Sequence, residues 1–107
     1  MTFELIVLDA AEEELAEAEA RYELQRPGLG AVFLSAVSAA IDRLLAFPLS
    51  GGAVPGILED LGARAVHVSK FPYSVIVVQE GSVLWIVAFA HQRRRPGYWR
   101  DRLEGHS

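Results

Sequence analysis

Between Ala88 and Arg100 the chain reads Ala-Phe-Ala-His-Gln-Arg-Arg-Arg-Pro-Gly-Tyr-Trp-Arg. An apolar run stops at His91, and Arg93, Arg94, Arg95, Tyr98 and Trp99 follow within a few positions. Folding alone does not demand three adjacent arginines beside two large aromatics. Guanidinium groups grip phosphate or carboxylate through paired N–H donors, and they stack on aromatic faces. The cluster therefore suits a phosphate-bearing or acidic partner. An unperturbed histidine titrates near pH ~6.5, so His91 is the group here able to move a proton near neutrality. Plainer roles exist for the same residues. His91 can hydrogen-bond backbone where a strand ends, the arginines can form a solvated segment, and Trp99 can pack on the edge of the core.

The cluster stands out because the rest of the chain is acidic. Residues 1–62 carry 11 acidic and 3 basic side chains, net −8, whereas residues 63–107 carry 3 and 7, net +4. Such asymmetry points to a molecule with one basic working face. The 107 residues are 51% hydrophobic, which suits one globular domain over 1–107 with a single core. The absence of cysteine excludes disulfides, thiol nucleophiles and cysteine-bound zinc. His67, His91 and His106 are scattered without paired ligand spacing, so no metal site is expected. Gly51-Gly52 lacks the lysine and following helix of a phosphate loop, and no serine-hydrolase signature occurs, so no cofactor is expected. Glu4 and Asp9 interrupt the N-terminal apolar residues without a basic flank, and the longest apolar run, Val83 to Ala90, is far short of the roughly 20 residues of a bilayer span. The expectation is a soluble, cytoplasmic protein with no membrane partner.

The elements that must position the cluster follow from periodicity. Phe3 to Leu8 reads as a strand. Asp9 is the expected N-cap of a helix, with Glu12 as its capping-box partner, and Ala11, Leu15, Ala18 and Tyr22 recur at helical spacing up to Arg26. Pro27-Gly28 makes a turn, and a second helix runs from about Leu29 to Phe47 with an apolar stripe of Phe33, Val37, Ala40, Ile41, Leu44 and Leu45, ended by Pro48. Leu49 to Gly62 is rich in glycine and proline and reads as a loop. Arg64–Ser69, Tyr73–Gln79 and Ser82–Ala90 read as an antiparallel meander with a tight turn at Glu80-Gly81, and 96–103 as a candidate short helix. The fold class is α+β, in the order β-α-α-β-β-β: a small twisted antiparallel sheet packed against an N-terminal helical hairpin.

This order, together with Arg43-Leu44-Leu45-Ala46-Phe47-Pro48, Arg64 leading to Lys70-Phe71-Pro72-Tyr73-Ser74-Val75, and the Ala88–Trp99 segment, resembles the RelE/ParE superfamily, the toxins of type II toxin–antitoxin or plasmid stabilisation modules. The resemblance implies one of two activities. ParE-like members poison DNA gyrase without acting as nucleases, and RelE-like members cut mRNA in the ribosome. It also implies a cognate antitoxin, partly disordered and folding as it docks, in a hetero-oligomeric complex.

If the chain is a nuclease, His91 supplies acid/base chemistry, Arg64 the phosphate contact, and Tyr98 a third group at the site. If it is a binding inhibitor, Arg93, Arg94, Arg95, Trp99 and Lys70 form the target or nucleic-acid surface. RelE-like nucleases often bring several lysines and arginines to the sheet face, whereas this chain has a single lysine and only Arg64 on the middle strands. The ParE-like reading is therefore preferred.

Overall fold

The computed structural model describes residues 3–46, 52–53 and 63–104. Its elements are β1 (Glu4–Val7), α1 (Asp9–Gln25), α2 (Leu29–Ala46), β2 (Gly52–Ala53), β3 (Ala63–His67), β4 (Tyr73–Glu80), β5 (Val83–His91) and α3 (Asp101–Glu104). The strands form a five-stranded sheet in the order β1-β5-β4-β3-β2. The meander expected from the sequence is present, with β3, β4 and β5 antiparallel. Two details differ. β1 joins the sheet parallel to β5, so the sheet is mixed at that edge. Gly52–Ala53, expected as loop, pairs with Arg64 and Ala65 as a two-residue strand. The expected helix stop at Pro48 lies outside the described residues.

The start of α1 also corrects the sequence reading. Asp9 is not the N-cap; Leu8 holds that position in an extended conformation without a side-chain cap. The cause is tertiary. The Leu8 N–H donates to the Ile86 carbonyl at 3.0 Å, its side chain is buried, and its own carbonyl accepts from Glu12 N–H at 3.0 Å. Pinning Leu8 to β5 moves the helix start one residue earlier. Asp9 and Glu12 keep their favourable place in the positive first turn.

α1 and α2 form the expected hairpin. The Glu23 carboxylate accepts from Gly28 N–H at 2.9 Å and Gly30 N–H at 3.0 Å, satisfying donors at the start of α2 that have no helical partner. Phe33, Val37, Ala40 and Leu44 face the core as their spacing predicts, while Leu45 is exposed. α2 has the length and apolarity of a bilayer span, but this buried stripe is spent on the core of the fold. Tyr22 and Phe33 meet Phe71 and Tyr73 with ring centroids 5.0–6.3 Å apart, which fixes the hairpin to the β3–β4 turn on one face of the sheet. The β4–β5 turn is tight as expected: Glu80 pairs with Val83, and Gly81 supplies a φ of 61°.

The register between β4 and β5 slips once. Ile76 faces Ala88 but Val77 faces Ile86, which leaves Val87 as the extra residue of a bulge. β1 ends opposite Ile86, so among the described residues no strand pairs with β5 on that side from Val87 to His91.

Gly30 lies where α2 packs closely against α1. A methyl group there would lie 3.0 Å from the Glu19 carbonyl oxygen and 3.0 Å from a Glu23 carboxylate oxygen. Gly30→Ala should therefore destabilise the protein by about 1–2 kcal/mol in urea unfolding, although alanine is the better helix former by about 1 kcal/mol. A gain in stability would mean that the helices tolerate separation at this point.

Candidate functional site

The unpaired stretch of β5 organises the basic tail. Where β1 stops, side chains replace the missing strand. The Glu14 carboxylate on α1 accepts from Phe89 N–H at 3.2 Å, and Arg102 on α3 donates to the Val87 carbonyl at 3.0 Å. The same two side chains form an ion pair with N–O distances of 2.7 and 3.1 Å. Tyr98 completes the group by donating its hydroxyl to Glu14 at 2.5 Å. Glu14 thus accepts four hydrogen bonds, which tie α1, β5 and the tail together.

This arrangement fixes the chemistry of Tyr98. Burial first, then the hydrogen bond to Glu14 and the charge of its carboxylate, push the phenol far above its ordinary range. Its proton is committed to Glu14. The guanidinium of Arg94 lies over the same ring, 4.0 Å from its centre, and that of Arg102 lies 5.2 Å from it. Arg102 is held even more firmly in its charged form by Glu14.

His91 ends β5. Its Nδ1 accepts the Arg93 N–H at 3.0 Å, and its carbonyl accepts the Arg94 N–H at 2.9 Å, so it caps the backbone where the sheet stops. Nδ1 as acceptor places the proton of the neutral ring on Nε2. The ring meets Tyr73 edge-on at 5.1 Å, and the Tyr73 hydroxyl accepts from Arg21 at 2.5 Å. The tail is also tied to the β3–β4 turn, because Gln92 N–H donates to the Pro72 carbonyl at 2.9 Å. That turn carries Lys70, exposed and in a left-handed conformation with φ 71°. Lys70 therefore shares one end of the molecule with His91 and Arg93–Arg95.

The tail folds back over the face of the sheet opposite the hairpin. A cleft of about 170 Å³ opens there between Ala65, Ile76 and Ala90 on the strands and Arg94, Arg95 and Tyr98 in the tail. His91 and Ser74 also border it. Arg64 does not. It is half-buried on β3 opposite Val77, whereas His91 lies opposite Tyr73, with β4 between them. Strand geometry then sets their Cα atoms roughly 16 Å apart. The proposed nuclease trio is thus not one constellation in this fold: His91 and Tyr98 share a cleft, Arg64 stands apart, and the Tyr98 hydroxyl is already engaged. Trp99 needs a correction as a binding residue. At 2% exposure it is a core side chain, because the tail's return over the sheet buries it. Arg93, Arg94 and Arg95 are exposed, and among the described residues none of them has a carboxylate partner.

The roles of Glu14, Arg102, Arg21 and Tyr73 rest on contacts between residues far apart in the chain. Glu14 did carry a signal. It falls beside Ala11, Leu15 and Ala18 on the buried side of α1, where an acidic residue needs a partner. Arg102 gave none, since its partner lies 88 positions away.

Comparison with known proteins agrees with this architecture. The model of the ParE toxin family of type II toxin–antitoxin systems (parDE) matches residues 5–96. A solved structure titled as the chromosomal ParDE toxin–antitoxin system from P. aeruginosa superposes with a TM-score of 0.71 at 14% identity, covering 84% of this chain and 96% of that one. Comparison with curated proteins finds no match. The chain belongs to the ParE toxin family.

Two measurements check the Glu14 arrangement. Glu14→Ala leaves Arg102 and the Phe89 N–H without their acceptor and should destabilise the protein by about 2–4 kcal/mol. An unfolding midpoint within error of wild type would show that the tail is not held this way. Because folding raises the Tyr98 pKa above its ordinary 10.0, the stabilising effect is complete below pH 10 and declines as pH rises beyond it. Tyr98→Phe should lose about 1 kcal/mol near neutrality and should show a shallower alkaline decline than wild type above that pH. Parallel alkaline profiles would contradict the assignment.

Proposed function

We propose that this ParE family member is the toxin of a type II toxin–antitoxin module, that it arrests growth by binding DNA gyrase, and that a cognate antitoxin neutralises it. The observation that carries the reading is the state of the tail. Its one fixed acid/base candidate outside histidine, Tyr98, is locked onto Glu14, while Arg93–Arg95 project without carboxylate partners among the described residues. An inhibitor that acts by binding needs a rigid, complementary surface and no proton-transfer set. Lys70, at the same end, extends that surface. In this reading the protein works in the cytoplasm, needs no cofactor, and is not an enzyme.

The antitoxin is proposed to be partly disordered until it docks, forming a hetero-oligomer with the toxin. Support comes from the hairpin, which exposes the large apolar side chains Leu24, Val32 and Leu45 at 88, 51 and 39%, separate points that a docking partner would cover.

One observation favours the alternative of a RelE-like, ribosome-dependent mRNA endonuclease. His91 borders the cleft, and its Nε2 makes no hydrogen bond among the described residues. That leaves one nitrogen for substrate, with Arg94 or Arg95 to meet a phosphate.

A purified supercoiling assay separates the two. Wild-type protein should inhibit gyrase, His91→Ala should inhibit as well as wild type, and the combined Arg93→Ala, Arg94→Ala, Arg95→Ala variant should lose inhibition at least tenfold. Unimpaired supercoiling, combined with ribosomal mRNA cleavage that His91→Ala abolishes, would replace the gyrase reading with the nuclease one.

A further inference from the structure

The cleft beneath the tail has a composition that goes beyond a general basic surface. Its lining sets the aliphatic Ala65, Ile76 and Ala90 and the largely buried Trp99 beside Arg94 and Arg95 of the tail. At about 170 Å³ it is smaller than the ~300–1,000 Å³ of small-molecule and cofactor sites. It has room for one aliphatic side chain. Arg94 lies over the Tyr98 ring at 4.0 Å. A guanidinium stacked through its face keeps its in-plane N–H donors for a carboxylate. No hydrogen bond or ion pair among the described residues uses the Arg94 or Arg95 guanidinium. The site therefore offers an apolar socket and two cationic donors side by side, in a chain whose net charge is −4.

Nucleic acid fits this site less well. Base recognition relies on open aromatic faces. Here Trp99 is buried at 2% exposure, and the Tyr98 ring is attended by Arg94 and Arg102. A peptide that places an aliphatic side chain next to a carboxylate satisfies both halves of the cleft.

We infer that the cleft is the receptor for an aliphatic–acidic segment of the antitoxin, whose aliphatic side chain seats on Ile76 and Ala90 while the adjacent Asp or Glu pairs with Arg94 and Arg95. The inference rests on the toxin–antitoxin reading above and adds a second docking point to the hairpin. Its occupation covers the tail surface assigned to the target, so the same contact that adds affinity also blocks inhibition.

The test is calorimetric titration of the full chain with the antitoxin encoded beside it, at two salt concentrations. Arg94→Gln/Arg95→Gln should weaken binding at least 30-fold and reduce its salt dependence. Ala90→Leu, which fills the socket, should weaken it at least tenfold while leaving the salt dependence unchanged. A melting scan identifies any Ala90→Leu protein that is not folded, and the arginine variant then decides alone. Tight wild-type binding that both variants leave within twofold overturns the cleft but leaves the toxin–antitoxin reading intact. The absence of any wild-type complex overturns both. Binding of a fluorescent twelve-nucleotide single strand that is lost in the arginine variant, with antitoxin affinity unchanged, would make this a nucleic-acid site and overturn the proposal.

Discussion

β5 runs past the end of its parallel partner, and the N–H of Phe89 and the carbonyl of Val87 must then find hydrogen bonds that no strand among the described residues supplies. Unpaired backbone groups in a half-buried place cost as much as a lost hydrogen bond, so the edge cannot simply be left open. Glu14 and Arg102 fill it, one as acceptor and one as donor, and neutralise each other as they do so. The rest of the tail follows from this. To bring Arg102 to the edge of β5, the chain after His91 must turn back across the sheet. That return buries Trp99, brings Tyr98 to Glu14, and leaves Arg93, Arg94 and Arg95 on the outer side of the turn. The charge that makes the tail conspicuous is displayed by an ion pair that the chain's charge pattern does not reveal.

The same constraint separates two kinds of chemistry. A tyrosine whose proton is bound to a carboxylate, with its pKa driven upward by burial, is poorly suited to proton transfer near neutrality but well suited to holding a segment still. An arginine stacked on that tyrosine is pre-oriented, so less conformational entropy is lost when an anion binds it. Rigidity at Tyr98 and availability at Arg94 are consequences of one arrangement. Together they favour recognition of a partner over catalysis as the work of this surface.

Much of the fold was legible because it is local. The helical stripes, the Pro-Gly turn, the Gly81 hairpin and the three antiparallel strands all follow from spacing within a few residues, and they match the structure closely. The departures lie where distant residues act. Leu8 rather than Asp9 starts α1 because Ile86 holds it. β1 runs parallel to β5, a pairing between opposite ends of the chain that no local spacing reveals. The site was legible in residue type and only partly in role. The sequence placed His91, Arg93–Arg95 and Tyr98 in one neighbourhood, but it gave no means of seeing that Tyr98 would be engaged by Glu14 or that Arg64 would lie across β4 from His91. Trp99 was conspicuous as a large aromatic beside arginines, and the fold uses it as core.

The claim that the tail works by binding, and not by cutting RNA, is tested most directly in cells. The chain is expressed without its antitoxin, and new DNA and new protein are pulse-labelled within minutes of induction. A gyrase-binding toxin stops DNA synthesis first while translation continues. Early loss of protein synthesis, with DNA synthesis still running, would contradict that claim and return His91 to the centre of the mechanism.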